Sequence, residues 1–327
     1  MLSRVADSIH WMSTYLERAE NVARFIEVNL QMILDLPLFQ EQTNHWKPLV
    51  SITGDDAYFY ETYGEATREN VIRFHTFDHN YPNSIISCVT AARENARSIR
   101  EIISSEMWEQ INQFYLLLRM EETNGHALSN PFVFFQEVKT ASHLFNGIMD
   151  ATMTHGEAWN FGHLGGMLER ADKTSRILDV KYFILLPKLE YIGTPVDDTQ
   201  WGVLLKSTSG LEMYRKQYKH ISPDNVVDFL ILNREFPRSI HFCLNEAEEA
   251  LSKITGSPPG TYRNQAEQTL GRLRSRMNYT TVAEIFSHGL HEYLDDFQGE
   301  LNRINTEIGH TFFSQELPRK EEGAWQS

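Results

Sequence analysis

From the N-terminus, apolar or small residues fall at Leu2, Val5, Ile9, Met12, Leu16, Ala19, Ala23, Ile26, Leu30 and Ile33. Alternating steps of three and four put them all on one seam of a long helix, which Pro37 ends. A second long helix is expected from Ala158 to Leu186, stopped by Pro187. Shorter helical segments are predicted near 67–80, 83–105, 107–121, 132–154, 198–220, 224–233, 238–253, 262–276 and 280–308. Ser222-Pro223-Asp224 reads as an N-cap followed by proline at the first helical position. Asn130-Pro131, Gly193-Thr194-Pro195 and Ser257-Pro258-Pro259-Gly260 separate the segments. No run alternates as a strand would, so the fold class is all-α.

The pattern repeats. Leu16-Glu17-Arg18-Ala19-Glu20, Arg24 and Glu27-Val28 return 152 residues later as Leu168-Glu169-Arg170-Ala171-Asp172, Arg176 and Asp179-Val180. A second block returns at an offset of 155: Asn70-Val71, Phe74, Pro82, Ser84-Ile85 and Cys88 become Asn225-Val226, Phe229, Pro237, Ser239-Ile240 and Cys243. Trp46, Leu49 and Thr53 recur at that offset as Trp201, Leu204 and Thr208, which places a three-residue insertion between the blocks. Colinear blocks of this kind predict an internal duplication. Two pseudo-symmetric helical-bundle units are expected, at 1–157 and 158–310, followed by a polar, flexible C-terminal tail at 311–327.

Composition narrows the function. The 327 residues are 41% hydrophobic and 23% charged, ordinary for a globular chain with a substantial core. A net charge of −14 without any Lys/Arg-rich run argues against nucleic acid and against anionic lipid. No apolar stretch is long enough to span a membrane, and the first residues carry no signal-peptide core, so a cytoplasmic protein is expected. Two cysteines cannot build a disulfide framework or a thiolate zinc site. Cys88 and Cys243 read as buried apolar positions.

The repeated charges are the first candidate site. Glu17, Glu20, Arg24 and Glu27 form one line about 100° round from the apolar seam, as do Glu169, Asp172, Arg176 and Asp179. Glu20–Arg24 and Asp172–Arg176 are acid-to-base pairs in the favourable i,i+4 order. Arg18 and Arg170 point away from the line and need other partners. Matched charges in two copies imply partial burial. One reading is a network that fixes helix register. The other is a site in which Glu17, Glu20, Arg24, Glu169, Asp172 and Arg176 bind a cationic substrate or metal, or act as acid and base.

Other constellations are weaker. A di-metal carboxylate bundle wants two Glu-x-x-His motifs on facing helices, and Glu307–His310 has no duplicate, while Asp7–His10 has the spacing in one half only. Glu284, His288 and His291 could face one ion, although the His-Glu-x-x-His motif is absent and a solvated acidic face accounts for the run. Arg93, Arg97 and Arg100 share a helix face as an anion or partner clamp, and the second unit has Glu248, Glu249 and Ser252 in the matching places, so this cationic face belongs to one half only. Interhelical ion pairing is the alternative for these arginines. No phosphate loop, nucleophile elbow or dinucleotide fingerprint occurs, so no metal site is assigned and no cofactor is expected.

Together these residues resemble the bacterial alpha-E domain family over about residues 1–310. The resemblance is carried by Met1-Leu2-Ser3-Arg4, Trp11, Tyr15-Leu16-Glu17-Arg18-Ala19-Glu20 and Arg93-Glu94-Asn95-Ala96-Arg97, and by Leu168-Glu169-Arg170-Ala171-Asp172 and Phe236-Pro237-Arg238-Ser239. Ser13-Thr14, where the family commonly has Gly-Arg, and Gly165-Gly166 depart from the pattern, which implies that a cationic contact is missing from the first helix. The resemblance implies an all-helical fold, and partners in an ATP-grasp-like ligase, a transglutaminase-like peptidase and, in some systems, a proteasome-like peptidase. It implies an accessory or substrate-recognition role in making or modifying a peptide or amide-linked product. A stand-alone enzyme using paired glutamates and a purely structural scaffold are the alternatives.

Overall fold

The computed structural model describes residues 1–35, 46–51, 54–185 and 195–314. Pro37, Thr53, Pro187, Gly193-Thr194 and the tail beyond Ser314, all invoked above, lie outside the described residues. Among the described residues every regular element is helical, and the chain is all-α. No described helix is long and apolar enough to cross a membrane.

Two long helices form the axis: α1 (Ser3–Asp35) and α9 (Glu157–Leu185). They pack along each other. From Val5 to Leu30 the seam read from the sequence is the buried one, with Ile9, Met12, Leu16, Ala19, Ala23 and Ile26 no more than 1% exposed, while Leu2 is exposed and Ile33 partly buried. Each large aliphatic side chain there contributes about 2 kcal/mol through removal from water. Gly165 lets the two helices approach closely. A Cβ at that position would lie 2.6 Å from both the His10 carbonyl and Thr14 Oγ1.

Further helices clothe this axis. α2 (Lys47–Ser51), α3 (Asp56–Tyr63), α4 (Arg68–Phe77), α5 (Ile85–Ser98), α6 (Ser105–Asn124), α7 (His126–Ser129) and α8 (Pro131–Thr152) precede α9. After it come α10 (Pro195–Ser207), α11 (Leu211–Gln217), α12 (Pro223–Val227), α13 (Ile240–Thr255), α14 (Gln265–Met277), α15 (Val282–His288) and α16 (Leu290–Ile308). α5 and α8 lie against α1, and α13 and α16 lie against α9. Side-chain N-caps define many starts: Thr67, Ser84, Ser104, Ser222, Ser239, Asn264 and Thr281 each accept from a backbone N–H three residues on. Such a cap contributes about 1 kcal/mol.

Three predicted helices are broken, and a fourth, 83–105, ends at Ser98, which leaves Arg100 beyond the helix it was assigned to. The segment 280–308 divides at Gly289, whose φ of +100° no helix tolerates. The segment 198–220 divides at Ser209, with φ of +53°, and Gly210. The segment 224–233 begins as α12 and ends in a π-helical turn at Asp228–Leu232. Another π-helical turn, Gly309–Phe313, extends α16 and packs on α1.

Candidate functional site

The two charged lines of α1 and α9 meet at the axis. Arg18 and Arg170, which point away from their own lines, each reach the opposite helix. Arg170 donates to Glu17 from Nε at 2.9 Å and Nη2 at 2.7 Å. Arg18 donates to Glu169 from Nε at 2.7 Å and Nη2 at 3.0 Å. Both are two-pronged pairs, the strongest geometry available to a guanidinium and a carboxylate.

Around Glu17 and Glu20 the network is dense and dry. Glu17, Glu20 and Arg24 are 2%, 0% and 1% exposed. Arg24 donates twice to Glu20 Oε1, at 3.0 and 2.9 Å, and its Nη1 donates to the Ser207 carbonyl and to Ser209 Oγ, both at 2.8 Å. From α8, Ser142 Oγ donates to Glu20 Oε2 at 2.7 Å and His143 Nε2 lies 3.0 Å from Oε1. Arg238, just ahead of α13, bonds Glu20, Glu17 and Asn21. Asn21 also donates to Glu17 Oε1 at 2.8 Å, and Lys139 to Glu27 at 2.6 Å.

The second cluster is built differently. Asp172 accepts from Arg176 Nε at 3.0 Å and from Lys173 Nζ at 2.7 Å, and Lys173 lies 3.3 Å from Glu169. Asp179 pairs with His291 of α16 at 2.7 Å. Arg176 and Lys173 are 28% and 21% exposed, so this side is wetter.

The electrostatics follow from the pairing. Burial opposes ionisation of Glu17, Glu20, Glu169 and Asp172, yet the facing cations hold all four carboxyls below their ordinary range. Glu20 is held well below it, chiefly by Arg238. Burial and the neighbouring Arg238 draw Arg24 down to about 10, where it is still a cation at neutral pH. A carboxylate fixed in its ionised form between two or three cations is a poor general acid and a weak base.

Of the three arginines read as a clamp, Arg93 and Arg100 share Trp108 and Arg97 stands apart. Arg93 of α5 donates to Asn112 Oδ1 at 2.8 Å and lies over Tyr115 and Trp108, at 4.8 and 5.6 Å. Arg100 covers Trp108 at 4.7 Å, and Arg97 pairs with Glu94 at 2.5 Å on the open surface. Glu284 closes a capping box with Thr281, while His288 pairs with Asp296 and His291 with Asp179. The helix break at Gly289 separates His291 from Glu284 and His288, and each of the three side chains takes a different partner. Cys88 and Cys243 are buried, and burial pushes both thiols up to about 12.

Sequence reasoning missed Arg238, Asn21, Lys139, His143 and Lys173 as parts of the network. Arg238 stood in a quoted motif, but its distance along the chain hid the contact. A buried carboxylate pair with too few local cations is the signal that points to such partners.

A family model described as Alpha-E, a predicted alpha-helical domain with a conserved ER motif, matches residues 1–313, and the chain belongs to that family. No curated protein and no solved structure matches the chain.

Proposed function

We propose that this Alpha-E chain is an accessory, substrate-recognition component of a bacterial ATP-grasp and transglutaminase-like system, acting in the cytoplasm on a peptide or amide-linked product. The observation that carries this reading is the closure of the charged stripe. Glu17, Glu20 and Glu169 are buried, paired and held ionised. The chain then contributes binding rather than proton transfer, and the chemistry belongs to its partners. The stripe is assigned the role of fixing the register of α1 on α9.

We further propose that the chain is a duplicated unit, 1–157 and 158–310, and that the family's ER motif is here the pair Glu17-Arg18 and Glu169-Arg170. Several local details support this. Asp78 Oδ1 accepts from the backbone of Asn80 and Tyr81, as Asn233 Oδ1 does from Glu235 and Phe236. Tyr81 stacks on Phe74 and Phe236 on Phe229, at 4.1 and 4.5 Å. Cys88 and Cys243 each lie 3.6 Å from the carbonyl of a proline six residues earlier.

The test is co-expression with the ATP-grasp-like and transglutaminase-like proteins encoded by its own host, followed by size-exclusion at micromolar concentration. A complex in near-equal amounts is expected. Separate migration of all three would overturn the accessory reading. The stand-alone enzyme returns if folded Glu17→Gln and Glu169→Gln proteins lose pathway activity without losing stability.

A further inference from the structure

The two charge clusters differ in where their third cation comes from. Around Glu17 and Glu20 it is the guanidinium of Arg238, with the short Asn21 facing it. At the matching positions, 155 and 152 residues away, stand Asn83 and Lys173. The cation has moved to α9, and a slim ammonium occupies less space than a guanidinium. What is left is a cavity of about 130 Å³ between α1, α4 and α9.

Its lining is chemically specific. Arg18, Lys173 and Arg176 line it, while the carboxylates Glu169 and Asp172 that they pair with stand behind them, so the polar wall is cationic. Arg18 uses its fork on Glu169 and its Nη1 on Asn83. Arg176 donates only through Nε among the described residues, so both of its Nη groups are available. Apolar walls come from Val22, Phe25, Tyr81 and Ile177.

His75 of α4 also lines the cavity. It is 1% exposed, and its Nε2 has no hydrogen-bond partner. Burial lowers its pKa to about 4, so the ring is neutral at pH 7. A neutral ring keeps one bare nitrogen, and Nε2 in that role is a buried acceptor without a donor, at a cost of about 1–3 kcal/mol.

A cationic wall, an arginine with both Nη groups available, apolar walls and an orphaned buried nitrogen together define a ligand. We propose that this cavity binds the free α-carboxylate end of an N-acylated amino acid or peptide, with the carboxylate on Arg176 and the adjoining amide N–H on His75 Nε2. With Glu169 and Asp172 already paired to these cations, a monoanionic carboxylate suits the wall better than a phosphate dianion. The proposal stands apart from the partner reading above, because it needs only this chain.

Titration of the full chain with N-acetyl-L-leucine, followed by calorimetry and by the His75 ring resonances, tests it. Saturable binding that shifts those resonances is expected. N-acetyl-L-leucinamide and inorganic phosphate should not bind, and 4-methylpentanoate, which has no N–H, should bind about fivefold more weakly. Arg176→Gln should weaken binding about tenfold or more. Asn83→Arg, which supplies the guanidinium found in the other cluster, should fill the cavity and abolish binding although it adds positive charge. Tighter binding by Asn83→Arg, equal binding of phosphate or of the leucinamide, or no saturable binding by the unaltered chain would each overturn the assignment.

Discussion

Arg170 of α9 holds Glu17 of α1 in a two-pronged ion pair, 2.9 Å from Nε and 2.7 Å from Nη2, while Arg18 holds Glu169 in return. The exchange ties two helices whose apolar seam could otherwise slide by a turn. A slip of one turn would part Glu17 from Arg170 and Glu169 from Arg18, and breaking one buried ion pair costs about 3–5 kcal/mol. Register is therefore set by charge, while most of the favourable free energy comes from the seam.

Acid should weaken the fold in two stages. His10 and His75 are buried, and burial lowers each from 6.5 to about 4. Between those values the unfolded chain binds protons that the folded chain does not, so stability is full above pH 6.5 and falls towards pH 4. Each histidine accounts for up to about 3 kcal/mol. Glu17, Glu20, Glu169 and Asp172 have folded values below their ordinary ones, so their contribution is present above about pH 4.5 and is lost as pH falls further. Melting temperature against pH should show both declines, and a chain carrying His10→Leu and His75→Leu should show a flatter upper one. An unchanged upper slope in that variant would contradict the assignment.

The close approach of α1 and α9 should be sensitive at one glycine and not at its neighbour. Gly165→Ala places a methyl group 2.6 Å from backbone and should cost about 1–3 kcal/mol. Gly166→Ala meets nothing within 4 Å and should stabilise the helix by about 0.5–1 kcal/mol. Urea unfolding of the two variants reads the difference directly; equal effects would mean that the helices do not cross there.

Both thiols should resist modification. Cys88 and Cys243 are fully buried and pushed up to about 12, so a thiol reagent at pH 8 should label neither in the native chain and both after unfolding. Rapid labelling of native protein would show that α5 or α13 opens readily.

Some of this architecture is legible in the sequence and some is not. The seam of α1 is, because its three-four spacing persists over more than four heptads. Burial of the Glu/Arg line is too, because its charges recur in both halves. The partners of Arg18 and Arg170 are not, since they depend on how two helices about 150 residues apart cross. Helices as short as Lys47–Ser51 and Asp56–Tyr63 are too brief to display a period. The break at Gly289 hides because an isolated glycine is compatible with a helical pattern until a neighbour demands a positive φ. The cavity beside His75 was invisible for a further reason: it arises from what Asn83 and Lys173 do not fill.

The central claim is that the charged stripe is a structural tie rather than an acid–base site, and a double-mutant cycle on Glu17→Gln and Arg170→Gln, read by denaturant unfolding, tests it most directly. A coupling of about 2 kcal/mol, with each single variant strongly destabilised, is the expected result. Additive, small effects on stability would contradict it, most sharply if Glu17→Gln abolished function in a chain as stable as the original.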